Sequence, residues 1–533
     1  MRDLGVGERV FDLFGFDAAA EAAEAGLDQR VQAMVREFLS AREASTDIGL
    51  DRLHGEFPPV PIPGEACDPD AYFDFLSSVV VRHSTRTASP RFIGHMTSAL
   101  PWFVRPLSRL VTAINQNVVK SETAKALTPL ERQSLAMMHR LVFERSASFY
   151  ERHQMALDST LGAVVSGGTV ANLTGLWCAR NDALGPQDGG AGVEQRGLDA
   201  ALRAHGYQGA VVIASSLAHY SIEKSVDVLG LGARSLIRVP VDARGRMDLA
   251  EARRAVDDAR RNRQLVLALV GVAGTTDTGA VDPLAEMADL AEQARIHFHV
   301  DAAWAGALLF SAEHRRKLAG IERADTVTLD GHKQLYLPMG IGMVFFRDPR
   351  LARCIEKQAR YIVRPHSVDL GKRALEGSRP AMVLFLHAAL QMVGQRGYAS
   401  LVDNGIRQAR HLAGAIARRE EFQLLGEPEI NILAYRYLPE RWRAAARQGP
   451  LTPPANDEVN RFNERLQKAQ RQAGRTFVSR TTLHHTAEAA GAPITALRAV
   501  IANPLTTEQD LDAVLADQVR IARELAEGEQ ASR

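Results

Sequence analysis

The sequence predicts an α/β protein: a large domain built on a mostly parallel sheet with helices on both faces, then a smaller α+β domain. Three observations predict it. Over residues 162–346, strand-length apolar runs alternate with segments of helical spacing, the arrangement that lays crossover helices over a parallel sheet. Two of these runs, ending at Asp301 and Asp330, stop abruptly in polar residues, as buried parallel strands do where they deliver side chains to a cleft at their carboxyl ends. After a helical, arginine-rich stretch, alternating apolar residues return at 429–437, where a second sheet is expected.

Residues 1–88 are rich in alanine and charged side chains, with helical spacing over 18–40 and a proline-bearing break at 57–63. This arm reads either as an amphipathic helix on the surface or as a segment packed on a second subunit. Residues 89–382 are assigned to the large domain. Thr128, Pro129 and Glu131 predict a helix start, with threonine as cap and proline at the first helical position, and the helix runs on through Met137, Met138 and Leu141 as core. Strands are predicted at 210–213, 265–270 and 341–346, a helix at 283–294, and a surface loop at 185–197, where glycines gather around Pro186. Residues 350–418 are read as helical, residues 383–533 as the small domain, and a last helix begins near Thr507.

A chain of 533 residues holds two domains plus an arm. With 64 Lys and Arg against 63 Asp and Glu, the balance points away from nucleic acid and anionic membrane and towards a small-molecule partner. Cys67, Cys178 and Cys354 lie far apart without metal-ligand spacing, which implies packing roles, no metal site and a reducing compartment. The first residues carry no basic segment followed by an apolar one, and no run of about eighteen apolar residues occurs. A cytoplasmic protein is expected.

Lys333 follows the strand that ends at Asp330. Burying an ammonium there is costly without a partner, which makes it a candidate amine nucleophile. A lysine of this kind condenses with an aldehyde cofactor, and pyridoxal 5'-phosphate also needs a carboxylate at its pyridinium nitrogen and a cradle for its phosphate. Asp301 supplies the carboxylate. The turn Ser166-Gly167-Gly168-Thr169, after an apolar run and before a helical segment, supplies the cradle.

Four motifs in this order, Gly167-Gly168-Thr169-Val170-Ala171-Asn172, Ala218-His219-Tyr220-Ser221, His299-Val300-Asp301-Ala302-Ala303-Trp304 and Gly331-His332-Lys333, resemble the group II pyridoxal-phosphate-dependent amino-acid decarboxylases. The resemblance runs from about Ser89 to about Asp512. It implies the aspartate-aminotransferase-like fold, fold type I, and a homodimer whose active sites draw on both subunits. The segments 90–98 and 115–131 look most like the aspartate 1-decarboxylase branch.

On this resemblance Lys333 holds the cofactor, Asp301 keeps the ring nitrogen protonated, His219 lies on the ring face, and Gly168, Thr169 and His332 meet the phosphate. His299 and Thr276 line the same pocket, touching the cofactor and the stacking histidine. Arg498 matches an arginine near the substrate carboxylate, His95 and Thr97 align with the substrate end, and Arg379 is a further candidate for the distal acid. One departure stands out. The loop position where the family carries a tyrosine that protonates the carbanion reads Val368, so that Tyr361 or His366 takes over or the chemistry leaks towards transamination or oxidative deamination. The expected reaction is α-decarboxylation of an acidic L-amino acid, aspartate to β-alanine first, with glutamate to 4-aminobutyrate and cysteine sulfinate to hypotaurine as alternatives. An aminotransferase, a carbon-carbon lyase on the same fold and a non-catalytic cofactor-binding protein are the competing readings.

Overall fold

Seven strands lie side by side in a computed structural model of the chain, which describes residues 13–187, 190–358, 367–489 and 491–531. They are β1 (Gly162–Val165), β2 (Gly209–Ser215), β3 (Leu236–Val239), β4 (Gln264–Val272), β5 (His297–Asp301), β6 (Thr326–Asp330) and β7 (Gly342–Phe346), in the order β1-β7-β6-β5-β4-β2-β3. All neighbouring pairs are parallel except those of β7, which runs against both β6 and β1. The short stretch from β6 to β7 explains the reversal, because a parallel return needs a crossover of about a dozen residues or more.

Alternation along the strands sorts the two faces. Val211 and Ile213 join the main core, with the Leu284–Ala294 helix on that side, while Val212 and Ala214 pack with Leu176, Ile222 and Val226 from the helices Gly168–Ala183 and Tyr220–Val228. On β5 the same rule puts Phe298 and Val300 in the main core and turns His297, His299 and Asp301 towards the other layer.

A second sheet, β8 (Phe422–Leu424), β9 (Ile432–Tyr437), β10 (Ser479–Leu483) and β11 (Ile494–Val500), is antiparallel throughout in the order β10-β11-β9-β8. The helices Gly394–Ala417, Pro453–Ala473 and Glu508–Ala531 build its core. Residues 92–93, grouped by sequence with the large domain, join this unit instead. Phe92 stacks on Phe477 at 4.8 Å, and Ile93 is buried in the small core, where its carbonyl accepts from Val500 N at 2.6 Å.

Several local expectations are corrected. The helix expected to start at Thr128 spans Leu127–Phe143, so Thr128 is inside it, with Oγ1 buried and unpartnered among the described residues. Pro129 still falls in the first turn, where no intrahelical donor is needed. The 185–197 segment includes a short helix, Val193–Arg196, because Val193 is buried. The start of the 350–418 stretch forms short 3-10 turns, Leu351–Ile355 and Leu370–Arg373, before the helices Val383–Met392 and Gly394–Ala417. Cys178 is buried and Cys354 half-buried, but Cys67 is exposed. In the arm, Asp17 caps the Ala18–Ser40 helix, which buries none of its residues. No helix among the described residues is long and apolar enough to cross a membrane.

Candidate active site

The carboxyl ends of β5 and β6 open next to each other, with Asp301 opposite Thr328 in register, and the helix that follows β1 begins beside them. A cavity of about 510 Å³ lies there. Lys333 extends into it with Nζ 3.0 Å from Asp330 Oδ2. The Asp330 side chain is 1% exposed, and its Oδ1 has no hydrogen-bond partner among the described residues.

The glycine turn is required by close approach. A methyl on Gly168 would come within 2.7 Å of Asp330 Oδ2, and one on Gly167 within 3.2 Å of His332 Cε1. Gly168 starts a 16-residue helix, so free backbone donors and the positive end of its dipole face the cavity beside Thr169. His332 Nδ1 donates to the Ile341 carbonyl at 2.9 Å, which pins the ring at the rim of this cradle.

Asp301 accepts from Asn172 Nδ2 at 2.8 Å and from Ala303 N at 3.1 Å. A buried carboxylate held only by neutral donors is suited to a cationic partner in the cavity. His219 caps the Tyr220–Val228 helix, and its Nδ1 contacts Ser221 Oγ at 2.8 Å. Burial lowers its pKa below the usual imidazole range, while the nearby Asp301 charge opposes this.

Across the cavity stands Arg498 on β11. Its Nε donates to the Thr276 carbonyl at 2.5 Å and its Nη1 to Ser479 Oγ at 3.1 Å and the Gly94 carbonyl at 3.4 Å. Burial takes this guanidinium down to about 10, against the opposing charge of Asp277. All three acceptors are neutral.

Nine of the twelve residues named from sequence therefore line one cavity: Lys333, Asp301, His219, Gly168, Thr169, His332, Thr276, Arg498 and His95. Three do not. His299 is fully buried behind Asp301, between Thr326 and Asn172, and cannot touch a ligand. Thr97 lies outside the wall, 3.5 Å from His95 Nδ1. Arg379 is turned into a buried ion pair with Glu131, at 2.7 and 3.2 Å, so its charge is already neutralised. Tyr361 and His366 lie outside the described residues. Val368 is half-buried, beside Asp369, whose carboxylate accepts from Ser121 N at 2.8 Å.

Sequence reasoning gave no role to Asn172, Ser221, Thr326 or Asp330. Only Asp330 carried a usable signal, an acid closing a buried strand three residues before the lysine.

An aromatic aldehyde with a phosphate fits this donor set: a lysine amine, a carboxylate for a ring nitrogen, an imidazole face, and a cradle that a side chain at Gly168 would fill.

Comparison with known proteins gives the same answer. The pyridoxal-dependent decarboxylase conserved domain matches residues 68–438. An aspartate 1-decarboxylase of Aliivibrio fischeri is 42% identical over 509 residues, 95% of this chain and 92% of that protein. Among solved structures, mouse CSAD superposes with a TM-score of 0.81 at 24% identity, covering 94% of this chain and 99% of that one. The Oryza sativa TDC structure with PLP and tryptamine gives 0.80 at 19% identity over 96% of this chain and all of that one, 100%. These two likenesses show a shared fold.

Proposed function

The chain belongs to the pyridoxal-dependent decarboxylase family, a carboxy-lyase of fold type I that uses pyridoxal phosphate, and from that premise we propose that it converts L-aspartate to β-alanine and carbon dioxide. The observation that carries the choice of substrate is the 42% identity, sustained over 95% of the chain, to an aspartate 1-decarboxylase. The cleft supports it, because Arg498, whose hydrogen-bond acceptors are all neutral, brings positive charge near His95.

When bound, the cofactor accepts the electron pair left by the departing carboxylate. The chain supplies the setting. Lys333 would hold the cofactor aldehyde through its side-chain amine. Asp301, fixed by Asn172 and Ala303, keeps a proton on the ring nitrogen. His219 would lie against the cofactor ring, and Arg498 would orient a substrate carboxylate with a planar guanidinium. With Arg379 neutralised by Glu131, His95 is left as the group for the distal carboxylate.

Two finer readings accompany this. The arm exposes Phe16 at 96% and Ile62 at 95%, which supports a homodimer covering these side chains; a monomeric active preparation in light scattering would contradict it. Three cysteines without a disulfide support a cytoplasmic setting.

The test is to incubate cofactor-loaded protein separately with L-aspartate, L-glutamate and L-cysteine sulfinate, following carbon dioxide and amine together. β-Alanine from aspartate is the expected result, and faster turnover of either other acid would reassign the substrate. Val368 favours one second reading: carbon dioxide with aldehyde, ammonia and hydrogen peroxide in place of amine, with dioxygen consumed as the oxidant, would mean that the valine has diverted the reaction.

A further inference from the structure

The face of β5 that carries Asp301 also carries His299 and His297, and along it runs an unbroken series of hydrogen bonds. His297 Nε2 lies 2.8 Å from Thr326 Oγ1, Thr326 Oγ1 lies 2.8 Å from His299 Nδ1, and His299 Nε2 lies 3.0 Å from Asn172 Oδ1. Asn172 Nδ2 then reaches Asp301 Oδ2 at 2.8 Å and Ser221 Oγ at 2.9 Å, and Ser221 Oγ reaches His219 Nδ1 at 2.8 Å.

The direction of every bond follows from its end. An ionised carboxylate only accepts, so Asn172 turns its amide nitrogen to Asp301 and its oxygen to His299. That oxygen requires a proton on His299 Nε2. Burial drives His299 down to about 4, so at neutral pH the ring holds one proton and Nδ1 is bare. Thr326 must donate to Nδ1 and accept from His297 Nε2. On the other branch Asn172 donates to Ser221 Oγ, whose own proton then points at His219 Nδ1. Nδ1 also accepts from the Ser221 backbone N–H at 3.3 Å, so neutral His219 carries its proton on Nε2.

Gly175 supports a built arrangement. A methyl there would lie 2.8 Å from His299 Nδ1 and 3.1 Å from Thr326 Oγ1. Glycine inside a helix is less favourable than alanine, and here the space it leaves is taken by this pair.

We propose that these residues form one polarised relay, in which Thr326, His299 and Asn172 are positioning residues that keep Asp301 an acceptor and present His219 to the cleft with its proton on Nε2. The relay leaves the cleft through the sheet. His297 stands at the amino end of β5, about 13 Å along the strand from Asp301. There it lines a second cavity, of about 660 Å³, with the Asp325–Arg347 ion pair. Its catalytic meaning rests on the reading that Asp301 meets the ring nitrogen; the bonding pattern itself does not.

Thr326→Val keeps the shape of the side chain and removes the hydroxyl, whereas Thr326→Ser does the reverse. Two readouts separate the claims. The first is the ¹⁵N signals of His219 in histidine-labelled protein without cofactor, assigned by their loss in His219→Gln. The second is the pH midpoint of the bound cofactor's absorbance. Thr326→Val is expected to shift the His219 Nδ1 signal, as its bond from Ser221 Oγ weakens, and to shift the midpoint by about one unit, a tenfold change in proton affinity, and Thr326→Ser to match the wild type in both. Gly175→Ala, which crowds the pair without removing a polar group, is expected to shift the signals in the same direction, and this holds as a test even where the valine variant fails to fold. Wild-type signals in both the valine and the alanine variants, or a departure in the serine variant alone, would overturn the relay. Shifted histidine signals with an unmoved cofactor midpoint would leave the relay standing and remove Asp301 from the ring nitrogen.

Discussion

The cleft and the seam beneath the Leu127–Phe143 helix each enclose an arginine, and their partners differ in kind. In the cleft, Arg498 donates to two backbone carbonyls and one hydroxyl, all neutral. In the seam, Arg379 meets both oxygens of Glu131, a carboxylate only 1% exposed. Desolvation alone does not mark a binding residue. Arg436 is also buried against neutral acceptors, Gln423 and Asn456, but it borders no part of the cavity. What distinguishes Arg498 is uncompensated charge together with access to a cleft, because an anionic ligand then supplies the missing partner.

Variants can break this contrast. The largest expected effect is at Lys333, where Lys333→Ala removes the cleft's nucleophile and should reduce kcat by about a thousandfold or more while the unfolding midpoint stays close to wild type. In the seam, Arg379→Gln strands a buried carboxylate, so denaturant unfolding should show a loss of about 3–5 kcal/mol with KM little changed. Adding Glu131→Gln should restore much of that loss. Arg498→Gln should behave in the opposite way, lowering kcat/KM by about 10- to 100-fold, the worth of a charge-assisted hydrogen bond, with little change in stability. A large stability loss at Arg498, or a large KM change at Arg379, would reverse the assignment.

The smallest effect concerns pH. His299 behind the cleft and His139 in the seam are both lowered to about 4 by burial, and burial also lowers His95, His219 and His297 around the cleft. The unfolded chain binds protons at these positions below pH 6.5 and the folded chain does not, so stability is lost as pH falls towards 4. Asp282, raised to about 6 by burial, works in the other direction over part of that range. Between pH 6.5 and 5.5 His139 alone should account for about 1 kcal/mol of this loss, and His139→Gln should remove that share in denaturant titrations at the two pH values.

How far the sequence could be read follows from the range of the forces involved. Lys333, Asp301 and the glycine turn were legible because Asp301 closes a strand, Lys333 follows the end of one and the glycine turn opens a helix, and local pattern marks such ends. The partner of Arg379 was not, since Glu131 lies 248 positions away and no local pattern links them. His299 was placed in the pocket although a strand's alternation and the helix above it put the ring behind Asp301. Asn172 and Thr326 carried no signal of their own, being small polar residues whose importance lies in what they touch. Nor could composition show that β7 runs backwards, since apolar strands look alike in either direction.

The crossing of residues 92–95 into the small unit has a mechanical consequence. Ile93 is rooted in the core of the second sheet, and Arg498 belongs to that sheet and is tied to Gly94 at 3.4 Å, whereas Lys333, Asp301 and the glycine turn belong to the first. The pocket is therefore split like the jaws of a vice, with the cofactor groups on the fixed jaw and His95 and Arg498 riding together on the other. The 2.5 Å bond from Arg498 to the Thr276 carbonyl joins the two jaws together with the bonds of Thr481 to Asp277, Trp304 to Asn431 and Asn431 to Gln334 and the packing of Ile430 and Ile432 in the main core, so turning one jaw against the other has to break several contacts at once.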